Sequence, residues 1–217
     1  MWKRLLKVRD ILVNKFGSVE RVKNTINECC SNDKVILSAM YSYLIQPAPL
    51  VNWHDTVWDG LLYPKHSFTL WLTCDSRLLT KDRLFRMGML STNQSNCVLC
   101  QWNQRKTINH IFFECQFSAE VWNKIMEWLR FKWKPCNWNQ LLNWYSCNLR
   151  GKGPMKKHKR MLLSMTMYTV WQERNFRIFQ GKKREAKQIV HVIKFLVYTK
   201  VLNENSYVHI RDLLKKI

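Results

Sequence analysis

Four residues with the side chains of soft metal ligands stand close together near the middle of the chain. Cys97 and Cys100 are separated by two residues, and His110 and Cys115 follow further along. Two cysteines at this spacing can share one ion in a tight turn, and a histidine and a third cysteine complete a tetrahedral Cys3His set. The spacing therefore predicts a structural site for Zn²⁺ with these four residues as its ligands.

The second half of this motif constrains the local backbone. His110 and Cys115 are five positions apart, which is about 140° around an ideal α-helix. At least one of them must therefore leave α-helical geometry to reach a shared ion. The alternative is a set of buried reduced cysteines beside an ordinary surface histidine. Zinc is favoured, since four ligand-type residues rarely fall in this order by chance and structural zinc contributes about 10–16 kcal/mol.

Catalysis is not expected from the same residues. Three thiolates and one imidazole fill the metal shell, whereas a catalytic zinc keeps a position for water. A Cys115 nucleophile with His110 as base lacks an identifiable orienting residue. Glu185 and Lys187 have the spacing of some metal-dependent nucleases, but no Asp occurs between Leu84 and Glu185. There is also no Asp-Asp pair and no glycine-rich phosphate loop, so neither an enzyme nor a small-molecule substrate is predicted.

The charge points to a polyanionic partner. The 36 Lys and Arg residues outnumber the 15 Asp and Glu residues, which gives a net charge of +21. Between Arg150 and Lys187, twelve basic and two acidic residues give +10. Such a surface attracts nucleic acid, anionic lipid or acidic proteins. The candidate nucleic-acid contacts are Lys156, Lys157, Lys159, Arg160, Arg174, Arg177, Lys182, Lys183 and Arg184.

Aromatic residues among these cations could stack on bases. Trp171, Phe176 and Phe179 are available for this purpose, although their helical spacing is more typical of a core. The alternative for the lysines and arginines is an ordinary solvated helix face. The sequence predicts binding of RNA or DNA without choosing between them, and it leaves the oligomeric state open.

The elements that must position these residues are predicted to be helices. Apolar residues at spacings of three and four predict a first helix over 2–16, which Gly17 ends. Thr80 is predicted as one N-cap and Ser118 as another. Further helices are predicted over 38–45, 64–72, 156–180, 189–197 and 210–217. Alternating strand patterns are almost absent, so the predicted class is all-α: an irregular helical domain with an embedded Cys3His zinc knuckle and few or no strands.

The chain divides into three predicted regions. Residues 1–50 form an N-terminal helical flank, 51–150 the zinc-binding domain, and 151–217 a basic C-terminal helical region. The boundary is placed at Gly151-Lys152-Gly153-Pro154, the most linker-like stretch of the sequence.

The cellular compartment follows from the cysteines and the apolar runs. Only the cysteines from Cys97 to Cys115, of eight in total, have ligand spacing, which argues against a disulfide framework. The N-terminus interleaves charges with Leu and Val, unlike a signal peptide. The run Met161–Trp171 is shorter than the roughly 20 residues of a bilayer span. We expect an intracellular protein, in the nucleus or the cytoplasm, which is neither secreted nor bound to a membrane.

Longer motifs around the cysteines resemble a known family. They are Trp53-x4-Trp58, Pro64-Lys65-His66-x-Phe68-x2-Trp71-Leu72, the run Arg77 to Leu84, Cys97-x2-Cys100 and His110-Ile111-Phe112-Phe113-Glu114-Cys115-x-Phe117-Ser118, followed by Trp122 and Trp128-Leu129. Together they resemble the zinc-binding region downstream of the reverse transcriptase in plant non-LTR, LINE-type retroelements. The likeness is close from about Trp53 to Leu129 and thinner outside that range.

The resemblance implies the same four zinc ligands and a role in binding the nucleic acid of a retrotransposon. Proteins of this family typically carry an endonuclease and a reverse transcriptase upstream, and sometimes a ribonuclease H domain downstream. The acidic constellations of all three are missing from this sequence. The chain is therefore expected to be a stand-alone or remnant copy of a non-catalytic module.

Overall fold

The structure is a computed structural model that describes residues 2–32, 34–45, 49–91, 97–100, 106–129 and 137–203. The chain forms two compact units, Met1–Leu50 and Val51–Ile217. Within the described residues there are ten α-helices, one π-helix and one two-stranded sheet. The predicted all-α class with few strands is confirmed.

The first unit consists of three helices and a short hairpin. Its elements are α1 (Trp2–Phe16), α2 (Val19–Glu28), β1 (Cys30–Ser31), β2 (Lys34–Val35) and α3 (Leu37–Leu44). The strands are antiparallel, with Cys30 opposite Val35. As predicted, α1 ends before Gly17, whose φ of 87° favours glycine. The sequence prediction missed α2, which Ser18 caps by accepting a hydrogen bond from the Arg21 amide.

The second unit contains all other elements. They are α4 (His54–Val57), α5 (Pro64–Cys74), α6 (Lys81–Arg86), the π-helix (His110–Glu114), α7 (Gln116–Trp128), α8 (Trp138–Asn148), α9 (Pro154–Phe179) and α10 (Ala186–Leu202). Helix α9 is central: it packs against α5 and α10, and α10 packs against α7. Its residues 161–167 are all buried, so apolar surface from the neighbouring helices closes around it.

A buried ion pair ties the start of α9 to the segment after α4. The Arg160 guanidinium donates from Nε to the Asp59 carboxylate over 2.9 Å, and a second nitrogen contacts the same oxygen. Both side chains are only 3% exposed. Arg160 also donates to the carbonyls of Leu149 and Gly151. This arginine therefore fixes the turn that leads from α8 into α9.

Some local predictions are confirmed by the structure and others are wrong. Thr80 caps α6 as predicted, by accepting from the Arg83 amide over 3.2 Å. The N-cap prediction for Ser118 is wrong, because α7 begins at Gln116 and Ser118 lies inside it. Helix α8 was not predicted. The predicted helix over 210–217 lies outside the described residues.

The predicted regions 51–150 and 151–217 both fall within the second compact unit. Their division at Gly151 to Pro154 stays a prediction about the sequence. In the structure Gly153 is the N-cap of α9 and Pro154 its first residue.

In the part of the chain that is described, none of the helices has the length and apolar character needed to cross a bilayer.

Candidate metal centre

The four predicted ligands meet at one place in the second unit. The sulfurs of Cys97, Cys100 and Cys115 and a ring nitrogen of His110 all lie within 4.8 Å of one another. The Cys100 sulfur lies 3.6 Å from Nε2 of His110. In a tetrahedral site with bonds of about 2.0–2.3 Å, ligand atoms are about 3.3–3.8 Å apart. The cluster therefore has the donor set to hold one metal ion and is close to the size of a tetrahedral site.

Burial also suits a structural site. Cys97, His110 and Cys115 are buried, and Cys100 is partly exposed. Sulfur and imidazole donors favour soft or borderline ions over Mg²⁺ or Ca²⁺, which prefer oxygen. The residues that are present fit a closed Cys3His centre.

A π-helix brings the last two ligands together. The Cys115 amide donates to the His110 carbonyl over 2.8 Å, so the turn closes over five residues and not over four. Cys115 itself has extended backbone angles, with φ −70° and ψ 125°. The wider turn places residue 115 one turn above residue 110. The expectation that this pair departs from α-helical geometry is thus met by a π-helical turn followed by an extended residue.

Helix α7 holds the π-helix from the other side. The Ser118 hydroxyl donates to the Ile111 carbonyl over 2.6 Å, and the Trp122 indole donates to the Phe112 carbonyl over 2.9 Å. Both side chains are fully buried. The two bonds satisfy backbone acceptors of the segment that joins His110 to Cys115, so the orientation of α7 sets the position of these ligands.

Arg177 of α9 contacts the turn between the first two ligands. Its Nη1 donates to the carbonyls of Val98 and Leu99, each over 3.0 Å. Its Nε donates to Glu173 over 2.7 Å, and its guanidinium lies 4.5 Å from the ring centre of Phe117. This contact was not predicted from the sequence.

The pKa values of Cys97 and Cys115 are shifted in opposite directions. A hydrogen bond with the Cys115 sulfur, together with one from His110, lowers the pKa of Cys97 despite burial. The same bond and burial raise the pKa of Cys115. Two thiolates whose sulfurs lie within 4.8 Å repel each other. A divalent cation between them removes the repulsion.

Two buried cations interact with these thiols. Lys106 is 5% exposed and Arg174 is 7% exposed, and both interact electrostatically with Cys97. Burial lowers the pKa of Lys106, and it lowers that of Arg174 to about 10. A divalent ion with three thiolates and a neutral imidazole carries one net negative charge, which these cations would balance.

The structure separates the nine candidate nucleic-acid contacts into two kinds. Arg160, Arg174 and Arg177 have buried side chains with partners inside the protein, and Arg184 pairs with the buried Glu173. Their arrangement does not favour contact with phosphate. The lysines are less buried: Lys156, Lys182 and Lys183 are exposed, and Lys157 and Lys159 are partly exposed.

The exposed lysines lie at the two ends of one long helix. Lys156 is in the first turn of α9, and Lys182 and Lys183 follow its last residue, Phe179. A helix of 26 residues is about 39 Å long. The basic region is therefore two separate groups and not one stripe. Among the aromatic residues, Trp171 and Phe176 are partly buried beneath Arg174 and Arg184, and Phe179 is 77% exposed.

Comparison with known proteins agrees with this geometry. Residues 36–122 match the family model described as zinc-binding in reverse transcriptase. Residues 36–122 are therefore similar to the zinc-binding domains of reverse transcriptases, and this range includes all four residues of the cluster. Neither a curated protein nor a solved structure gives a significant match.

The match confirms the resemblance to a reverse transcriptase zinc-binding region, whereas the plant, LINE-type and stand-alone parts of that interpretation stay predictions. The matched family is a zinc-binding module, as distinct from the catalytic domain of a reverse transcriptase. The range begins at residue 36, earlier than the Trp53 expected from the motifs. Arg177 and Glu173 lie well beyond its end.

Proposed function

We propose that Cys97, Cys100, His110 and Cys115 bind one Zn²⁺ as a structural centre. The observation that carries the proposal is the convergence of the four ligand atoms within 4.8 Å. When bound, the ion would cross-link the Cys97–Cys100 turn to the π-helix. Four protein ligands leave no position for a water nucleophile, which supports a non-catalytic role.

We further propose that the module binds nucleic acid through its exposed lysines. The net charge of +21 supports this proposal, and so does the exposure of lysines at both ends of α9. Lysine is a mobile point charge that binds phosphate without reading base sequence. We therefore expect binding with little sequence preference, to RNA or DNA, in the manner of a module that serves a retroelement protein.

Two measurements on the full chain test these proposals. Elemental analysis of protein purified without added metal should find stoichiometric zinc. Binding to labelled single-stranded and duplex RNA and DNA should weaken steeply as salt is raised, because each neutralised phosphate releases counterions. Absence of zinc contradicts the first proposal. Absence of binding near physiological salt, or binding that salt does not weaken, contradicts the second.

A structural or protein-interaction role, or a remnant without function, is the second candidate. The internal pairing of Arg160, Arg174, Arg177 and Arg184 favours it, since these charges serve the fold and not a ligand. Stoichiometric zinc together with no salt-dependent nucleic-acid binding would support this candidate over the first.

A further inference from the structure

A buried carboxylate orients two arginines close to the metal centre. Glu173 of α9 is fully buried and accepts three hydrogen bonds: 2.7 Å from Arg177 Nε, 2.8 Å from Arg184 Nε and 2.9 Å from the Arg184 amide. Burial raises the pKa of this carboxyl, but the bonds from the two arginines hold it below its ordinary value. Glu173 is therefore an ionised anchor that fixes the direction of both guanidinium groups.

The two arginines share this anchor but differ in what else they contact. Arg177 uses its remaining nitrogens for the Val98 and Leu99 carbonyls and for the Arg184 carbonyl at 2.7 Å. The Arg184 guanidinium lies 5.0 Å from the ring centre of Phe176. Only Arg177 thus joins the carboxylate to the turn that carries the first two ligands.

The peptide groups of that turn are bonded on both sides. The Val98 and Leu99 carbonyls accept from Arg177, and the amides of the same two peptide groups, those of Leu99 and Cys100, bond to the Cys97 sulfur. A cation at the carbonyl oxygen polarises the peptide group and strengthens the bond that its amide donates. Arg177 therefore acts on Cys97 through two peptide groups without touching the sulfur.

We propose that Arg177, anchored by Glu173, is a positioning residue of the metal centre, which holds the Cys97–Cys100 turn in the shape that presents both sulfurs to one ion. The proposal rests on the zinc site of the proposed function. It places an essential support of the centre more than fifty residues beyond the matched range, which ends at residue 122. The zinc module would accordingly require α9.

The shared carboxylate supplies a matched control. We compare Arg177→Met with Arg184→Met in the full chain, and measure the affinity for Zn²⁺ by competition with a chromophoric chelator and for Co²⁺ by its absorption bands. Loss of an outer partner of a metal ligand typically weakens affinity by about 10–100-fold. We expect this loss in Arg177→Met, with a shifted Co²⁺ spectrum, whereas Arg184→Met should keep the affinity and spectrum of the wild type.

Arg177→Lys separates positioning from simple ion pairing. Lysine keeps the positive charge beside Glu173 but cannot bridge two carbonyls with a planar fork. We expect metal affinity to stay low in Arg177→Lys. If Arg177→Met does not fold, the pair Arg177→Lys and Arg184→Lys provides the same contrast.

Three results would overturn the proposal: wild-type affinity in Arg177→Met, equal losses in the Arg177 and Arg184 variants, or full rescue by lysine. Each leaves the zinc site itself intact. A wild-type protein without metal affinity would instead overturn the proposed zinc function, and this proposal with it.

Discussion

The Cys100 sulfur lies 3.6 Å from Nε2 of His110, although the two residues belong to different structural elements. Cys100 belongs to the turn that Arg177 contacts, and His110 opens the π-helix that α7 holds. A metal ion at this contact would therefore link these two supports. Removal of one ligand should loosen both.

The first prediction is that Cys97→Ser abolishes stoichiometric zinc. A serine hydroxyl is a poor replacement for a thiolate, and the three remaining ligands do not close the shell. Elemental analysis checks the metal, and amide hydrogen exchange between Phe112 and Trp122 should become faster. Cys147→Ser is the control, because Cys147 is exposed and lies outside the cluster. Unchanged metal content in Cys97→Ser would refute the ligand assignment.

The convergence of the four Cys and His side chains and the long helices were predictable because their signals are local. Spacing alone identifies the Cys3His set, and apolar periodicity identifies α9 from residues that it contains itself. Helix α8 was missed because its aromatic and amide residues lack a clear period. A local signal did exist: Asn137 and Gln140 form a capping box, in which each side chain bonds the amide of the other residue.

The fate of the arginines was not predictable from the sequence. A run of lysines and arginines reads the same whether it faces solvent or the interior. Burial of an arginine depends on a partner that can be far away in the sequence. Asp59 is 101 positions from Arg160, and Val98 is 79 positions from Arg177. Contacts at such separations depend on how the helices pack, which no spacing rule encodes. Lysine and arginine were treated alike, yet the buried sites hold mostly arginine, whose fork satisfies several acceptors at once.

The second prediction concerns acid stability. His66 and His158 are 1% and 3% exposed, and their ring nitrogens have no hydrogen-bond partner among the described residues. Burial lowers the pKa of each to about 4, with a smaller effect of Lys65 on His66. The unfolded chain protonates both near pH 6.5, so the unfolded state binds more protons below that pH. Stability should therefore fall as the pH drops from about 6.5 to 4, by about 3 kcal/mol for each histidine.

His158→Leu separates this effect from acid release of the metal. The variant should lose about 2–3 kcal/mol less than the wild type between pH 7 and pH 4.5, because one buried histidine no longer resists protonation. Urea unfolding of the zinc-loaded protein at both pH values measures the difference, because acid release of the metal affects the variant and the wild type alike. His191→Leu is the control, since His191 is exposed. Parallel pH profiles for His158→Leu and the wild type would contradict the explanation.

The third prediction concerns the buried pair of Asp59 and Arg160. Asp59→Asn removes the carboxylate charge but keeps an oxygen that can accept a hydrogen bond from the Leu61 amide. In the structure the Leu61 nitrogen lies 2.9 Å from Oδ1 of Asp59. The Arg160 guanidinium would then lose its buried counter-charge, at a cost of roughly 3–5 kcal/mol. Urea unfolding measures this loss. Asp75→Asn is the matched change at an exposed ion pair with Arg77, and it should cost less than about 1 kcal/mol. Equal losses in the free energy of unfolding would show that the buried pair contributes no more to stability than the exposed pair.

The last prediction distinguishes the two groups of exposed lysines. The double variant Lys152→Gln with Lys156→Gln discharges the group before and within the first turn of α9, and Lys182→Gln with Lys183→Gln discharges the group after its last turn. Each lost phosphate contact should reduce the slope of log affinity against log salt by about 0.9, so a group that binds loses about two units of slope. Lys23→Gln with Lys34→Gln removes the same charge from exposed positions of the first unit and should have little effect.

The length of the nucleic acid then decides how the groups are used. Since α9 separates them by about 39 Å, one duplex could reach both only if it spans about a dozen base pairs at 3.4 Å per step. If both double variants lose slope on long duplexes but only one does so on an eight-base-pair duplex, a single nucleic acid follows the helix from end to end. If only one variant ever loses slope, binding is confined to that end. The end at Lys182 and Lys183 is then the more informative one, because Arg177 connects its loop to the metal centre. Chelation of the metal should therefore weaken binding at this end. It should not weaken binding at Lys152 and Lys156.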